Sequence, residues 1–189
     1  MVVTGASGYI GSHIVANLLS KGMQVRATVR DLEDPERVSH LKSMEIGEGG
    51  SIEIVEMDLF DSDSVDSAIL GCTDLIHTAA TVVVRSRDPQ RKIVDPSVIG
   101  TKNVISAIDK SGSVERFVHT SSTAAIRPMN WSDGTILTTD SWADDATLEN
   151  NPYGLAKVSA EKIVREWHAS LDPGTRPRLV TIHPCMVFG

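Results

Sequence analysis

Cysteine, clustered basic residues and long apolar runs are all scarce in this chain, and each scarcity removes a class of protein. Cys72 and Cys185 are the only two thiols in 189 residues. So far apart, they provide neither a disulfide framework nor a metal-ligand spacing, and reduced thiols in a cytoplasmic protein are the expected state. His77, His119 and His183 fall in three different strand-like runs with no i,i+4 pairing, so no metal site is expected. The chain contains no Lys/Arg run, and its 25 acidic residues outnumber 18 Lys and Arg, for a net charge of -7. Such a surface repels phosphate backbones and anionic lipid; neither a nucleic acid nor a membrane is an expected partner. No apolar stretch approaches the ~20 residues that span a bilayer, and the opening Met1-Val2-Val3-Thr4 lacks the layout of a signal peptide. Repeats and low-complexity linkers are absent too.

What is present is enough apolar sequence, 41% against 23% charged, to bury one core, and the length suits a single domain over residues 1–189. Short β-branched runs at 2–4, 24–30, 51–55, 74–78, 116–120 and 178–182 predict strands. Helical periodicity lies between them. Residues 88–109 place Val94, Val98, Thr101, Ile105 and Ile108 on one stripe, and Ile10, Ile14 and Leu18 do the same for the first helix, with Gly22 at its left-handed C-cap. Strands alternating with helices predict an α/β fold, a doubly wound parallel sheet covered on both faces. Residues 123–151 form one long irregular segment with Pro128, Gly134 and several acids; a segment of that length in a compact domain reads as a lid or binding loop.

Thr4-Gly5-Ala6-Ser7-Gly8-Tyr9-Ile10-Gly11 follows the first strand and opens the first helix. Its glycines are placed to turn tightly, to admit a pyrophosphate and to let helix approach strand. Ser7, Tyr9 and Ile10 stand at the helix N-terminus, where unpaired N–H groups and the positive dipole end attract phosphate. The turn predicts dinucleotide binding. The second strand selects among dinucleotides, because a free 2′-hydroxyl calls for a carboxylate at the strand end and a 2′-phosphate for arginine. Val29 fills the expected acid position and is followed by Arg30 and, further on, Arg37, which favours NADP(H) over NAD(H). In the alternative, Arg30 merely ends the strand and Asp31 reaches the ribose. Asp58 and Leu59 close the third strand, where a carboxylate can accept from an adenine amino group and a leucine can cover the ring; a plain turn acid is the competing reading.

Tyr153 and Lys157 are four residues apart, one helical turn on a shared face. A phenol is a sluggish proton donor at neutral pH, and a neighbouring cation favours its ionised form. With Thr120-Ser121-Ser122 ending the fifth strand, the pair suggests acid/base chemistry at a carbonyl.

At these residues the chain resembles an extended short-chain dehydrogenase/reductase of the NAD-dependent epimerase/dehydratase superfamily. The likeness rests on Gly5, Gly8 and Gly11 as Gly-x-x-Gly-x-x-Gly, on His77, Thr78, Ala79 and Ala80 as His-x-Ala-Ala, on the strand-five serine, on Tyr-x-x-x-Lys, and on Pro184 and Val187 in a closing Pro-x-x-Val-x-Gly that ends at Gly189. It is most similar to the dihydroflavonol reductase, cinnamoyl-CoA reductase and aldehyde/ketone reductase branch, through residues 25–31, the Asp88-Pro89 and Gly100-Thr101 helix entry, and Asp140-Ser141-Trp142. The resemblance implies that Tyr153 is the general acid/base, that Lys157 holds the nicotinamide ribose and activates the phenol, and that Ser122 rather than Ser121 bonds the substrate oxygen. It implies a small-molecule carbonyl or alcohol as substrate, cofactor contacts from His77 to Ala80 and at Pro184 and Val187, and a homodimer through helices 88–109 and 151–170.

Departures refine the implied chemistry. Ser97 stands where epimerases and dehydratases of the family carry Asn, and Ser122 is followed by Thr123-Ala124-Ala125 where dehydratases carry an acidic pair, so reduction is favoured. An NAD-dependent epimerase, a hydroxysteroid dehydrogenase and a non-catalytic NADP(H)-binding module are the alternatives. Family members continue well past the Pro-x-x-Val-x-Gly turn. The chain is therefore expected to be the cofactor half of a larger enzyme, its C-terminal substrate region largely absent, binding dinucleotide but reducing little alone. The expected remaining pocket wall is residues 81–85 with the loop around Trp131 and Trp142; the apolar run 81–84 suggests a hydrophobic substrate.

Overall fold

The computed structural model describes residues 1–80, 83 and 85–188. The elements are β1 (Val2–Thr4), α1 (Tyr9–Ser20), β2 (Gln24–Val29), α2 (Pro35–Lys42), β3 (Ser51–Glu56), α3 (Ser62–Ile69), β4 (Asp74–His77), α4 (Asp95–Ser111), β5 (Arg116–Thr120), α5 (Thr123–Ile126), α6 (Pro152–Ser170) and β6 (Arg178–Ile182). Among the described residues the six strands form one parallel sheet in the order β3-β2-β1-β4-β5-β6. The chain thus runs outward from β1 to β3, returns to the far side of β1 and runs outward again. Open sheets of this kind hold ligands beyond the carboxyl ends of the strands where the direction switches. Here those strands are β1 and β4, and their register sets Thr4 opposite His77.

The chain divides into two compact units, the first made of Met1–Ala79, Asn103–Val118 and Pro177–Leu179, the second of the remainder. In the first unit Val3, Val15, Leu19, Val25, Ala27, Val29, Val38 and Leu41 form a buried core. The stripe of α1 differs from the periodicity reading by one residue. Gly11, Val15 and Leu19 are buried, whereas Ile14 and Leu18 only flank the core. Glycine carries no hydrophobic signal, so the pattern's phase followed the larger side chains beside it. Gly22, at φ +73°, ends α1 as expected. Asp34 and Asp61 cap α2 and α3 by accepting the N–H groups of Glu36 and Asp63, which satisfies donors that a helix start leaves open.

In the second unit the predicted helix begins as one wide π turn, Gln90–Val94, before α4. Pro96 explains the widening, since it lacks an N–H and its ring would crowd a regular turn. Ile93, Val94 and Ala156 pack together, flanked by Val98, Leu148 and Leu155. Residues 123–151 are not structureless. Ala143 and Ala146 are buried, Ala143 donates its N–H to Ala125 at 2.8 Å, and the Asp145 carboxylate accepts from the N–H groups of Met129 and Asn130. The Trp142 ring is covered by Lys162 and Arg165 at 5.3 and 5.0 Å. Of residues 81–85, expected as pocket wall, Thr81, Val82 and Val84 lie outside the described residues, as does Gly189; Val83 and Arg85 are exposed.

A Cβ added at Gly11 would stand 2.2 Å from the Gly5 carbonyl oxygen, which is backbone and cannot swing aside. Gly11→Ala should therefore reduce the unfolding free energy by about 3 kcal/mol, the upper range of overpacking. Urea unfolding would register this as a lower midpoint at unchanged slope; an unaltered midpoint would contradict the packing described.

Candidate active site

In the first unit, the turn after β1 is built by contact between backbones. Gly5 has φ +66°, and a Cβ there would lie 2.9 Å from the Ala79 Cα, so the position demands glycine on conformational and steric grounds. The Ala6 N–H donates to the Thr28 carbonyl at 3.0 Å, and the Gly8 N–H to that of Gly5 at 3.0 Å. Gly8 precedes α1 with no side-chain cap and no acid in the first turn. By contrast, α2, α3, α5 and α6 are capped by Asp34, Asp61, Ser122 and Asn151. Among the described residues, the N–H groups at the start of α1 are thus left without a side-chain acceptor beside exposed Gly8 and Tyr9 and half-buried Ser7 and Ile10. Such a cradle, bare of side chains at the positive end of a helix, fits an anionic phosphate.

Thr4 ties this turn to the end of β4. Its Oγ1 accepts from the N–H groups of Thr78 and Ala79 at 3.1 and 3.2 Å and lies 2.7 Å from His77 Nδ1. Both hydroxyl lone pairs are then engaged, so the single hydroxyl hydrogen goes to Nδ1 and buried His77 is the Nε2–H tautomer. Thr78 Oγ1 returns a bond of 2.6 Å to the Thr4 carbonyl. His77, Thr78 and Ala79 thus lock the sheet at the direction switch; Ala80 is exposed.

The remaining expected cofactor residues of this unit differ in their availability. Val29 ends β2 buried and Arg30 follows exposed, with no hydrogen bond or ion pair among the described residues. Arg37 is engaged: its Nε lies 2.8 Å from the carboxylate of Asp34, the cap of its own helix. Asp58 accepts the Phe60 N–H at 2.9 Å, which is the turn role, and the Leu59 carbonyl accepts from Asn103 Nδ2 at 2.7 Å.

In the second unit, the two serines at the end of β5 part company. Ser121 Oγ donates to buried Glu161 at 2.5 Å. Ser122 Oγ accepts the Ala124 N–H at 3.1 Å, capping α5, and makes a long 3.5 Å contact to the Pro184 carbonyl. Pro184 also accepts the Thr123 N–H at 3.0 Å, while the Ser121 N–H donates to Ile182 at 2.9 Å. Val187 is exposed beyond them, and so is Cys185. The Thr123 hydroxyl, then the Met186 N–H and the Arg127 charge, hold the Cys185 thiol below the ordinary cysteine range.

On α6, Tyr153 is half-buried and Lys157 buried, with Nζ 5.8 Å from the centre of the tyrosine ring. Burial pushes the Lys157 ammonium below the ordinary lysine range, and the charge of Glu161 opposes that shift. Glu161 is 0% exposed and went unnoticed in the sequence, although the spacing of four that links Tyr153 to Lys157 continues to Glu161 and Arg165. Its carboxylate accepts Ser121 Oγ, a two-pronged contact from Arg165 at 2.9 and 2.6 Å, and His183 Nε2 at 2.8 Å. No group of His, Cys, Asp and Glu suited to a metal ion occurs among the described residues.

The chain as a whole is similar to known proteins. The model of the 3-beta hydroxysteroid dehydrogenase/isomerase family matches residues 2–189. An anthocyanidin reductase of Arabidopsis thaliana is 34% identical over 193 residues, covering 99% of this chain and 55% of its own length. A cinnamoyl-CoA reductase of Medicago truncatula is 37% identical, covering 99% of this chain and 57% of its own. Yeast methylglyoxal/isovaleraldehyde reductase, solved with NADPH, superposes with a TM-score of 0.85 at 29% identity, over 100% of this chain and 58% of that one. The chain thus spans a little over half the length of these relatives. With the glycine turn, the sheet order and Tyr-x-x-x-Lys all in place, the chain belongs to the 3-beta hydroxysteroid dehydrogenase/isomerase family, in the extended short-chain dehydrogenase/reductase branch.

Proposed function

We propose that this protein is an NADP(H)-dependent reductase of a small-molecule aldehyde or ketone. The observation that carries the reading is the buried Lys157 ammonium held 5.8 Å above the ring of Tyr153, a cation given up by water in order to sit beside a phenol. The bare helix start at Gly8 supports a dinucleotide pyrophosphate on the N–H groups of Tyr9 and Ile10. The relatives named as reductases, one of them solved with NADPH, support both the cofactor and the carbonyl chemistry.

When bound, the dinucleotide supplies the hydride. The chain's own residues then have separable tasks. Ser121 is consumed by Glu161, which leaves Ser122 to bond the substrate oxygen. Tyr153 Oη delivers the proton to that oxygen as its bond to carbon becomes single, and the Lys157 ammonium compensates the charge that the phenol acquires. Arg30 meets the 2′-phosphate. Arg37 contributes less, because Asp34 already holds it and the same carboxylate would repel the phosphate. Asp58, already accepting from Phe60, contributes at most a second oxygen to adenine.

Turnover is read from NADPH oxidation against a panel of aromatic and aliphatic aldehydes and ketones, and affinity from NADPH and NADH titrations. Tyr153→Phe should lower turnover by about 10²- to 10⁴-fold while NADPH affinity holds. A variant that keeps most of its turnover would mean another group donates the proton. Since a chain of a little over half the length of its relatives is expected to reduce little alone, the panel is run on a protein of the relatives' full length; binding of NADPH there without any reduction would favour a dinucleotide-binding module.

Arg30→Ala should weaken NADPH binding about tenfold or more, as expected for loss of a charge-assisted bond, and leave NADH binding unchanged. Arg37→Ala should have the smaller effect. Equal affinity for the two cofactors in the unaltered protein would overturn the assigned preference.

A further inference from the structure

Lys157 and Glu161 lie four residues apart on α6, neighbours on one helical face, and both are buried, at 8% and 0% exposure. A buried ammonium is costly unless a counter-charge accompanies it. The charged groups around the pair come from several elements. Arg165 lies on α6 itself. His183 follows β6 and reaches Glu161 with Nε2. Arg127 follows α5 and is turned to the Trp131 ring at 5.5 Å. Arg91 and Lys92, on the π turn packed against α6, are exposed. In the segment 123–151, Asp144 pairs with Lys162 at 2.5 Å. Among the described residues, Glu161 is the one buried carboxylate, and it lies one helical turn from Lys157.

The carboxylate is also fixed from several sides. Ser121 Oγ and His183 Nε2 hold one oxygen at 2.5 and 2.8 Å, and Arg165 grips the other with two nitrogens. Arg165 is in turn flattened against Trp142 at 5.0 Å. A carboxylate so restrained cannot swing out to water and stays on the helical face it shares with Lys157.

We propose that Glu161 is a positioning residue, the buried counter-ion that keeps the Lys157 ammonium charged beside Tyr153. The role rests on the reading of Lys157 as the cation that serves Tyr153, but its test does not. Loss of the Glu161 charge would leave the buried Lys157 ammonium without a buried carboxylate among the described residues, and a lysine can relieve this by releasing its proton.

The Lys157 titration can be followed by NMR in the purified chain carrying 13Cε-lysine, with the resonance assigned by its loss in Lys157→Met. In Glu161→Gln, which keeps the shape and removes the charge, the Lys157 midpoint should fall by about one pH unit or more. Glu161→Asp should recover part of the fall. Arg165→Met, which removes the competing cation from the carboxylate, should raise the midpoint. The direction separates counter-ion from mere packing: if Glu161→Gln only loosened the fold, water would reach Lys157 and its midpoint would rise toward the ordinary value. A rise or an unmoved midpoint in Glu161→Gln overturns the proposal. Because no substrate enters the measurement, that result stands apart from the Tyr153→Phe turnover assay, whose failure would instead overturn the reductase reading.

Discussion

The carbonyl oxygen of Gly5 occupies the space that any side chain at position 11 would need, and much of the first unit follows from that exclusion. With hydrogen alone at Gly11, α1 settles directly on the turn after β1, and Val15 and Leu19 are carried down into the core formed with β2 and α2. The cap position is itself a glycine, Gly8, which supplies no capping side chain, and the helix end so left is one that attracts anions. Thr4 completes the arrangement. Its hydroxyl joins the turn, His77 and the chain after β4 in one network, in which every lone pair and hydrogen of that oxygen is spent.

Periodicity and backbone contacts were legible in the sequence to different degrees. Six strand-like runs became six strands with ends displaced by at most a residue, because β-branched runs between turn residues leave few other choices. The phase of α1 was not legible. Its first buried position is a glycine, Gly11, invisible to any hydrophobic count. The wide turn at Gln90–Val94 had a visible cause in Pro96, but a proline in a helical pattern announces a disturbance without specifying its geometry. The i,i+3 partner of Arg37 is legible at Asp34, and that pair separates Arg37 from Arg30.

Glu161 illustrates the other kind of failure. A glutamate in an amphipathic helix is ordinarily read as part of the solvated face, since this residue type is almost never fully buried unless paired. Its partners lie 40 residues away at Ser121 and 22 away at His183, and no local pattern links those positions. His183 looked like a loop or core histidine for the same reason. Only the fourfold spacing Tyr153, Lys157, Glu161, Arg165 was available locally. It marks one face of a helix without saying whether that face meets water or protein.

A core that needed only stability would be better served by apolar side chains than by this cluster, since desolvating two cations and a carboxylate tends to cancel their mutual attraction. The second unit nevertheless draws its long segment toward the same helix through charge: Lys162 and Arg165 both lie over the Trp142 ring, and Asp144 pairs with Lys162. Arg165 belongs to both arrangements, stacking on Trp142 with one face and forking onto Glu161 with its nitrogens. The seating of the segment 123–151 and the restraint of the carboxylate therefore share one guanidinium. A lysine in its place would provide the charge but neither the flat surface for the indole nor the paired donors for the carboxylate, so the two roles together call for arginine at position 165.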